Sequence, residues 1–350
     1  MKIPTEPIGS IPRPAELIDA ITSQSERGDL ERLYKNAVNE TLTAFERTGS
    51  PVVTDGEQTK PSFLTYPLHG LTNLAPNGMQ IAFSDGHFRQ LPVLTHGPFR
   101  YSGYAKQYLE YAKKLTKMPV KQAIISASAL SLIYPSSGIE GYSRSEFISD
   151  LVNECEKDIR LCLEAGAHKV QMDFTEGRLS LKLDPSGGVL KQFIELNNQV
   201  FNRFTDEERT KLGVHVCPGA DQDATHSADV DYTSFLPLLF DLNVGNFYLQ
   251  MASEANRTKV LKTIKQYVKP NQKIFIGVTD VNNPRIESAE EIRDNILEAA
   301  RYIPSDQLGT TDDCGFAPFC DDRSTSRETA FAKIKVRIDG TKLAEEKLFR

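Results

Sequence analysis

Short runs of β-branched and other apolar residues alternate along this chain with longer stretches whose apolar positions recur at helical spacing. Runs of the first kind predict buried strands, and stretches of the second kind predict amphipathic helices. The predicted strands are the segment before Ile8 and the segments 51–54, 120–125, 168–172, 212–216, 246–250, 273–277 and 307–311. This order of elements is typical of βα units arranged around a parallel sheet.

Three of the intervening helices have clear signals in the sequence, and they are predicted over 144–165, 190–204 and 289–303. Ser143 stands at the N-cap position of the first. Ser288 precedes the third, with Glu291 three residues later, which is the spacing of a capping box. Residues 174–189 contain Gly, Asp and Pro, and we predict a loop there after the fourth strand.

Eight strands with intervening helices predict an α/β fold, a single (β/α)₈ TIM barrel that forms one catalytic domain over residues 1–350. The alternative is an open, doubly wound sheet, but no glycine-rich dinucleotide fingerprint follows the first strand. Residues 60–101 interrupt the alternation with Pro, Gly and aromatic residues. We interpret this segment as an insertion that folds over one mouth of the barrel.

Composition narrows the class of protein further. The chain has 350 residues, of which 39% are hydrophobic, and a net charge of -6, which argues against a nucleic-acid-binding protein. No apolar run reaches the roughly 18 residues of a membrane span, and the first residues lack the apolar stretch of a signal peptide. We therefore expect a cytoplasmic protein that does not bind membranes. Five widely spaced cysteines predict free thiols or metal ligands rather than disulfides.

Candidate metal ligands lie where two of the predicted strands end. His215 and Cys217 are two positions apart on an extended segment, so their side chains point to the same side. Cys314 follows another strand, and reactive groups of a barrel gather at the carboxyl ends of its strands. Imidazole nitrogen and thiolate sulfur are the donors that zinc prefers. The alternative interpretation is a buried histidine with two inert core cysteines.

Carboxylates are predicted at the same face of the barrel. Asp55 and Glu57 follow the second strand, and Asp173 ends the fourth. Such a cluster could bind a substrate ammonium group, and the alternative is a set of solvated acids or helix caps, which we favour for Asp55. His226 is predicted to be a solvated loop residue. Arg13 is a candidate for an anionic substrate tail or a surface ion pair.

Together these segments resemble the catalytic C-terminal half of cobalamin-independent methionine synthase and its shorter, single-barrel relatives. The resemblance runs from Ile8 to nearly the end of the chain. It is carried by IGSIPRP at 8–14, TDGE at 54–57, QMD at 171–173, HVC at 215–217, GVTD at 277–280 and DCG at 313–315. In that family zinc binds the sulfur of homocysteine, and methyltetrahydrofolate donates a methyl group to it.

The resemblance assigns roles to residues of this chain. It implies that zinc is bound by His215, Cys217 and Cys314. It implies that the ammonium of the amino acid meets Glu57 and Asp173. It also implies that the carboxylate of the amino acid meets backbone and hydroxyl groups of Ile8, Gly9 and Ser10. Zinc chemistry fits this role because a free thiol has a pKa near about 8.5, whereas a thiol coordinated to the metal is deprotonated.

Three positions depart from the family pattern. The family has a carboxylate zinc ligand where this chain has Gln250, so the possible fourth ligand is Gln250 or Glu254. The Asp-Glu-Pro of the family is Asp-Phe-Thr at 173–175. A proton-donating histidine of the family is replaced by Asn282, which is not an acid at neutral pH, and Asp280 is the candidate to relay a proton in its place. Asp280 and Asn282 are therefore the predicted catalytic residues.

The leading hypothesis is zinc-dependent methyl or alkyl transfer to a small, homocysteine-like thiol. One alternative keeps zinc and changes the electrophile, as in the similar epoxyalkane:coenzyme M transferases, because a strained epoxide needs less help from an acid. A second is a non-catalytic zinc barrel that senses or stores thiols or metal. A third is a metal-free barrel of the decarboxylase type. The expected partners are a small-molecule thiol and an alkyl donor.

Overall fold

A computed structural model describes residues 2–23 and 26–349, which form a barrel with helices outside it. The helices are α1 (Ala15–Thr22), α2 (Arg27–Thr48), α3 (Lys106–Leu115), α4 (Ala127–Ser131), α5 (Arg144–Glu164), α6 (Glu176–Leu183), α7 (Gly188–Phe201), α8 (Asp206–Arg209), α9 (Tyr232–Leu239), α10 (Arg257–Tyr267), α11 (Ala289–Ala299) and α12 (Arg327–Leu348). The strands are β1 (Leu74–Ala75), β2 (Gln80–Ala82), β3 (Phe88–Gln90), β4 (Val93–Leu94), β5 (Gln122–Ile125), β6 (Val170–Asp173), β7 (Leu212–Val216), β8 (Ala220–Asp221), β9 (Ala224–Thr225), β10 (Asn246–Leu249), β11 (Lys273–Gly277) and β12 (Leu308–Thr311).

The barrel wall is a parallel sheet of six strands in the order β5, β6, β7, β10, β11 and β12. Two further extended segments complete the ring. Thr5 makes a parallel bridge to Thr310 of β12, and Val53 makes a parallel bridge to Val120 just before β5. The predicted (β/α)₈ barrel is therefore confirmed, with its first two strands reduced to single bridges.

Proline explains why these first two strands are so short. Pro4 and Pro7 flank the bridge at Thr5, and Pro51 precedes the bridge at Val53. A proline has no N–H to donate to a neighbouring strand, so the hydrogen-bond ladder cannot extend past it. The six longer strands all match predicted segments, and their inner residues are buried.

The predicted helices are confirmed, and so is the predicted chemistry of their first turns. Ser143 and Glu146 form a capping box at the start of α5, and Ser288 and Glu291 form one at the start of α11. In each box the serine hydroxyl accepts from a backbone N–H, and the glutamate accepts from the backbone N–H of the serine. These caps fix where the helices begin relative to the barrel strands that precede them.

The loop predicted over 174–189 is wrong, because α6 occupies most of this segment and α7 starts at Gly188. Turn-forming residues are concentrated at 184–187, with Pro185 among them, so only that part of the segment is a turn. Leu179 of α6 is buried. This correction moves Glu176 from a loop to the first turn of a helix.

Residues 60–101 lie over the carboxyl ends of the barrel strands, as predicted for an insertion. They contain a short 3₁₀ helix (Tyr66–Leu68) and two antiparallel pairs, β1 with β4 and β2 with β3. We call residues 80–90 the roof hairpin. Its turn is joined to the barrel loop below, since the Ser84 N–H donates to the Thr225 carbonyl at 3.0 Å. Across the described ranges, the helices lack the combination of length and apolar character that crossing a membrane requires.

Candidate active site

Three soft or borderline donor side chains meet at the carboxyl ends of β7 and β12, and we call them the metal rim: His215, Cys217 and Cys314. Their ligand atoms all lie within 4.8 Å of one another, and all three residues are buried. The two sulfur atoms are 3.2 Å apart. The convergence predicted from the sequence therefore exists in the structure, although the two cysteines are 97 residues apart in the chain.

Backbone geometry holds the first two members of the metal rim. The alternation of β7 points the side chains of His215 and Cys217 to the same side. His215 Nδ1 lies 3.2 Å from the Tyr248 carbonyl oxygen of the neighbouring strand, and its Nε2 is buried without a hydrogen-bond partner. The Gly219 N–H donates to Cys217 Sγ at 3.3 Å. Only glycine fits there, because its φ is +70° and a Cβ would lie 1.8 Å from His226 Nε2.

Asp313 positions the third member by fastening two strand ends together. Its Oδ1 accepts from the backbone N–H groups of Met251 and Ala252, both at 2.8 Å. Its Oδ2 accepts from the backbone N–H and the hydroxyl of Ser253. These four bonds tie the segment after β12 to the segment after β10, so that Cys314 is held beside Cys217.

The donor set fits a zinc ion. Contact with the Cys217 sulfur and burial together hold the pKa of Cys314 well above its ordinary value. Cys314 therefore remains protonated unless a cation stabilises its sulfur as a thiolate. The unpartnered Nε2 of His215 is a third donor atom, and zinc favours this nitrogen and sulfur set.

Gln250 and Glu254, the two candidates for a fourth ligand, differ in their contacts. Gln250 is buried at the end of β10, its Nε2 donates to Ser253 Oγ at 2.7 Å, and its Oε1 has no partner. Glu254 Oε1 accepts from Arg178 Nη1 at 2.7 Å, and no oxygen of Glu254 lies within the metal-rim group. The contacts thus leave a free oxygen on Gln250 and engage Glu254 elsewhere.

Three buried acids line the same cavity as the metal rim, and we call them the carboxyl wall: Glu57, Asp173 and Glu176. Asp173 ends β6 and is in register with His215 of β7. Its Oδ1 accepts from Gln171 Nε2 at 2.7 Å. Burial raises the pKa of Asp173 above its ordinary value, although His215 acts in the opposite direction. Both acids predicted to bind substrate, Glu57 and Asp173, therefore lie beside the metal rim.

Glu57 is held in the wall by a buried ion pair. Its Oε1 accepts from Lys60 Nζ at 2.9 Å, and the same ammonium donates to the Ala123 carbonyl at 3.0 Å. Burial alone would lower the pKa of Lys60, but attraction to Glu57 and Asp55 outweighs it and raises that pKa. Asp55 accepts from the Glu57 N–H and holds this turn, where Glu57 has a φ of 56°. Asp55 therefore has a local structural role, but it is buried at a turn and is neither the solvated acid nor the helix cap predicted from the sequence.

Arg13 also holds this turn rather than offering its charge to an anion. It donates to the backbone carbonyls of Glu57 at 2.7 Å and of Lys60 at 2.8 Å. It also donates to the carbonyls of Ala317 and Phe319 in the segment after Cys314. The guanidinium thus links the Glu57 turn to the segment that follows Cys314.

Ile8, Gly9 and Ser10 line the cavity next to Cys314, as the resemblance implies. The Ser10 carbonyl accepts from the Phe316 N–H at 3.0 Å. Ser10 Oγ accepts from the Ala317 N–H at 3.3 Å. A Cβ on Gly315 would lie 2.2 Å from Ser10 Oγ, so the glycine allows this close approach. The first barrel segment and the Cys314 segment therefore form one continuous edge.

Glu176 and His226 line the cavity, and the sequence analysis did not identify either of them as a site residue. Glu176 was hidden by the loop predicted over 174–189, and a helix there would have placed it one turn after Asp173. The prediction that His226 is solvated is wrong, because its side chain is buried beneath the roof hairpin. Burial, with Lys182 and Arg178 nearby, lowers the pKa of His226 to about 3, so its ring is neutral at physiological pH.

The roof of the cavity is apolar and is fixed at its edge by charge. Phe83 packs edge-on to His226 with ring centroids 5.5 Å apart. Arg89 reaches from the hairpin to Asp321 with two bonds of 2.9 Å and also pairs with Asp221. The guanidinium lies 4.1 Å from the centre of the Phe319 ring. Other apolar lining residues are Ile8, Phe63, Leu64, Ile81, Leu91, Ala129, Leu132, Leu179 and Pro318.

The predicted catalytic residues Asp280 and Asn282 do not line this cavity. They lie in the segment between β11 and α11, where Asp280 Oδ1 accepts from the Asn282 N–H at 3.1 Å. The backbone N–H of Asp280 in turn donates to Glu287 Oε1 at 2.9 Å. The structure does not bring them to the metal rim, and their catalytic role stays a prediction.

Comparison with known proteins gives one consistent result. Residues 3–340 match the family model described as the catalytic domain of cobalamin-independent synthase. The chain is 23% identical over 353 residues to a methionine synthase of Saccharolobus solfataricus, covering 99% of this chain and 96% of that one. It is 24% identical to a methionine synthase of Sulfurisphaera tokodaii, covering 99% and 94%.

A solved structure shows the same fold. It is that of a B12-independent methionine synthase from Shewanella sp. W3-18-1 in complex with selenomethionine, and it superposes with a TM-score of 0.78. The two chains are 19% identical, and 99% of each is covered. The likeness extends over the whole barrel, including the strands that carry the metal rim.

Proposed function

Since this chain belongs to the cobalamin-independent synthase catalytic-domain family, we propose that it is a zinc-dependent S-methyltransferase acting on a homocysteine-like thiol. The proposed methyl donor resembles methyltetrahydrofolate. The observation that carries the proposal is the meeting of His215, Cys217 and Cys314 at the wall of an enclosed cavity. A metal site of this composition beside a substrate-sized space fits thiol activation better than a purely structural role, which closes the metal off from solvent.

The metal rim would hold the zinc through His215 Nε2 and the two cysteine sulfurs, and Gln250 Oε1 is the proposed additional ligand. Zinc bound there would lower the pKa of a substrate thiol and present its sulfur as a nucleophile. The protein's own contribution is to keep these donors rigid, through Asp313 below Cys314 and the Tyr248 carbonyl beside His215. The same contacts keep the substrate sulfur in one place.

The carboxyl wall is the proposed site for the amino group of the thiol substrate. Asp173 and Glu57 line the same cavity as the metal rim, so an amino acid whose thiol is bound at the rim would reach them with its ammonium group. Ser10 and the backbone of Ile8 and Gly9 would meet its carboxylate. Binding at both ends would orient the sulfur toward the donor, which is the main way that an enzyme accelerates such a displacement.

The direct test measures metal content and thiol binding together. The purified chain is expected to contain one zinc per molecule and to convert homocysteine to methionine with methyltetrahydrofolate. Zinc X-ray absorption should show one additional zinc–sulfur bond after homocysteine is added. A protein without bound zinc after expression in zinc-supplemented medium, or a zinc whose ligands never change on adding thiols, would contradict the proposal.

A second candidate function, alkylation of a thiol by a small uncharged epoxide, is favoured by one observation. The roof of the cavity is apolar, and its Arg89 is already paired with Asp221 and Asp321. Among the described residues, Arg89 is the only lysine or arginine that lines the cavity, so no lining cation is left unpaired for a polyanionic donor tail. Turnover of homocysteine and of thiols without an amino group, each with methyl donors and with epoxides, separates the two candidates.

We further propose that residues 1–350 act as one catalytic unit on small molecules in the cytoplasm. The supporting observations are a single barrel whose candidate site lies at the carboxyl ends of its strands and a net charge of -6 that suits neither nucleic acid nor anionic lipid. Fractionation of cells that express the chain at its native level tests the location.

A further inference from the structure

Glu176 has an arrangement that the proposed binding of zinc and thiol does not require. It lies in the first turn of α6, is 4% exposed, and lines the cavity together with His215 and Cys314. Its Oε1 accepts hydrogen bonds from Ser126 Oγ at 2.6 Å and from Ser128 Oγ. Its Oε2 is buried and has no hydrogen-bond partner. One oxygen of this carboxyl group is therefore held by hydrogen bonds, and the other has no partner among the described residues.

The fixed oxygen is held by a relay of polar groups behind the wall. Asn197 Nδ2 donates to Ser128 Oγ at 2.8 Å, and Asn197 Oδ1 accepts from the Ser128 N–H at 3.1 Å. Ser126 also caps α4, since its Oγ accepts from the Ala129 N–H at 3.0 Å. A carboxyl group held this way cannot rotate freely, so its second oxygen keeps one direction.

A buried, unpaired carboxylate oxygen in an apolar wall is costly, whereas a protonated carboxyl group carries its O–H on that oxygen. The pKa of Glu176 is raised to about 7, because burial and the charge of Asp173 raise it by more than the hydroxyls of Ser126 and Ser128 lower it. The other ionisable groups that line the cavity are Glu57, His215, His226, Cys314 and Arg89. At neutral pH a large fraction of Glu176 therefore carries a proton.

We propose that Glu176 is the general acid of the reaction, which donates its proton to the atom of the alkyl donor that leaves. This inference rests on the proposed function, because it requires a donor whose leaving atom is nitrogen or oxygen. Such an atom is a poor leaving group until it gains a proton, and an acid positioned for this transfer contributes about 10²- to 10⁴-fold to the rate.

The step balances as follows. The thiol of the substrate has lost its proton on binding, and its sulfur forms a bond to the methyl carbon of the donor. The bond from that carbon to the donor nitrogen breaks, and its electron pair stays on nitrogen. Nitrogen takes the proton of Glu176, which leaves a thioether, a secondary amine and a Glu176 carboxylate. The carboxylate regains from solvent a proton equivalent to the one that the thiol released.

Other candidates for the acid are less suitable. His226 lines the cavity, but its pKa of about 3 leaves no proton to donate at neutral pH. Asp280 and Asn282 lie outside the cavity lining. Asp173 is in register with His215 and is engaged by Gln171, in the place proposed for the substrate ammonium. Glu176 combines a place in the wall, a fixed orientation and a free oxygen.

The test compares two methyl donors in the Glu176→Gln variant. Methyltetrahydrofolate releases an amine that needs a proton, whereas a methyl sulfonium releases a neutral thioether that does not. With homocysteine as acceptor, we expect Glu176→Gln to lower kcat by about 100-fold or more with the folate donor. We expect a change below about threefold with the sulfonium, because only the acid is lost. Glu176→Asp, which retains an acid, should recover part of the folate-dependent activity.

Controls separate chemistry from folding. Glu195→Gln makes the same change at an exposed position of α7 and should leave both reactions unaltered. The zinc content and melting temperature of Glu176→Gln should match the wild type. If the wild type uses only the folate donor, its decrease in kcat above about pH 7 must be absent from the residual activity of Glu176→Gln.

Two results would overturn the inference and leave the proposed function in place. They are an equal loss with both donors and full folate-dependent activity of Glu176→Gln. A wild type that methylates no thiol with either donor overturns the proposed function itself, and the inference with it.

Discussion

The two sides of the cavity are built from different chemistry. The metal rim consists of nitrogen and sulfur donors at strand ends, and backbone groups, the Tyr248 carbonyl and the Gly219 N–H, contact two of them. The carboxyl wall consists of three acids, each with one oxygen engaged by another side chain. One side suits a soft metal and a sulfur, and the other suits ammonium groups and protons.

This difference predicts how substitutions will divide. A change in the metal rim should remove the metal, and with it every reaction of the site. A change in the carboxyl wall should leave the metal bound and affect one class of substrate or one step.

Cys314→Ser is expected to have the largest effect. A hydroxyl does not replace a thiolate on zinc, so bound metal should fall to a small fraction of one equivalent. Activity should fall by more than about 100-fold, since even groups that only support zinc ligands are worth about 10- to 100-fold. Metal analysis by inductively coupled plasma mass spectrometry and an assay of thiol alkylation measure both effects.

The matched control is Cys320→Ser, six residues later in the same segment. Cys320 is half-buried and is not a member of the metal rim. It should keep full zinc and activity. A Cys314→Ser protein with a full equivalent of tightly bound zinc would show that the metal rim is not where the metal binds.

Asp173→Asn should produce the next largest effect, and on one substrate class only. The amide keeps the shape and removes the charge proposed to bind the ammonium group, so KM for homocysteine should increase by about 10- to 100-fold, the value of a charge-assisted hydrogen bond. Zinc content should not change. Steady-state kinetics with homocysteine and with a thiol of equal length that lacks the amino group provide the comparison. An equal rise in KM for both thiols would show that Asp173 does not bind the ammonium group of the substrate.

The same division explains which parts of the site the sequence could predict. His215, Cys217, Asp173 and Cys314 lie at or just after strand ends, where the barrel geometry alone brings residues together. Their positions in the chain were enough to predict that they meet. Glu57 was found the same way, but its ion pair with Lys60 depends on a turn with a φ of 56°, which no period in the sequence indicates.

Residues carried by helices and by the insertion were harder to predict. Glu176 reaches the cavity from the first turn of α6, and Gly177 within that helix made the segment resemble a loop. His226 is buried only because the roof hairpin covers it, and that cover depends on Arg89 meeting Asp221 and Asp321 far along the chain. Contacts of this kind are set by tertiary packing, which local patterns do not record.

The pH dependence of turnover should reveal the carboxyl wall without any mutation. The pKa of Glu176 is raised to about 7, so the protonated acid predominates below that pH and is lost above it. With an amine-leaving donor, kcat should decrease about tenfold between pH 6 and pH 8, because the protonated fraction of Glu176 decreases by about that factor over this range. A rate with a methyl sulfonium should stay level over this range. An increase of kcat with pH for the amine donor would assign Glu176 the role of a base instead.

We expect the smallest effect from a substitution of Gln250, the proposed additional zinc ligand. Gln250 Nε2 lies 3.2 Å from Glu254 Oε1, and its Oε1 has no partner. Gln250→Glu would place two carboxylates in contact, which is unfavourable unless a cation lies beside them. Zinc should therefore stabilise this variant more than the wild type. The difference in melting temperature between zinc-loaded and chelator-treated protein should grow by roughly 2 °C for each kcal/mol by which zinc stabilises the variant more than the wild type.

Turnover of Gln250→Glu should fall only severalfold, because a charged ligand makes the zinc a weaker activator of the substrate thiol while leaving the wall intact. Gln250→Ala is the control, since it removes the oxygen without adding charge and should narrow the difference in melting temperature. If both variants respond to zinc as the wild type does, the oxygen of Gln250 is out of reach of the metal. The fourth position would then belong to solvent or substrate, and all the protein's ligands would come from β7 and β12.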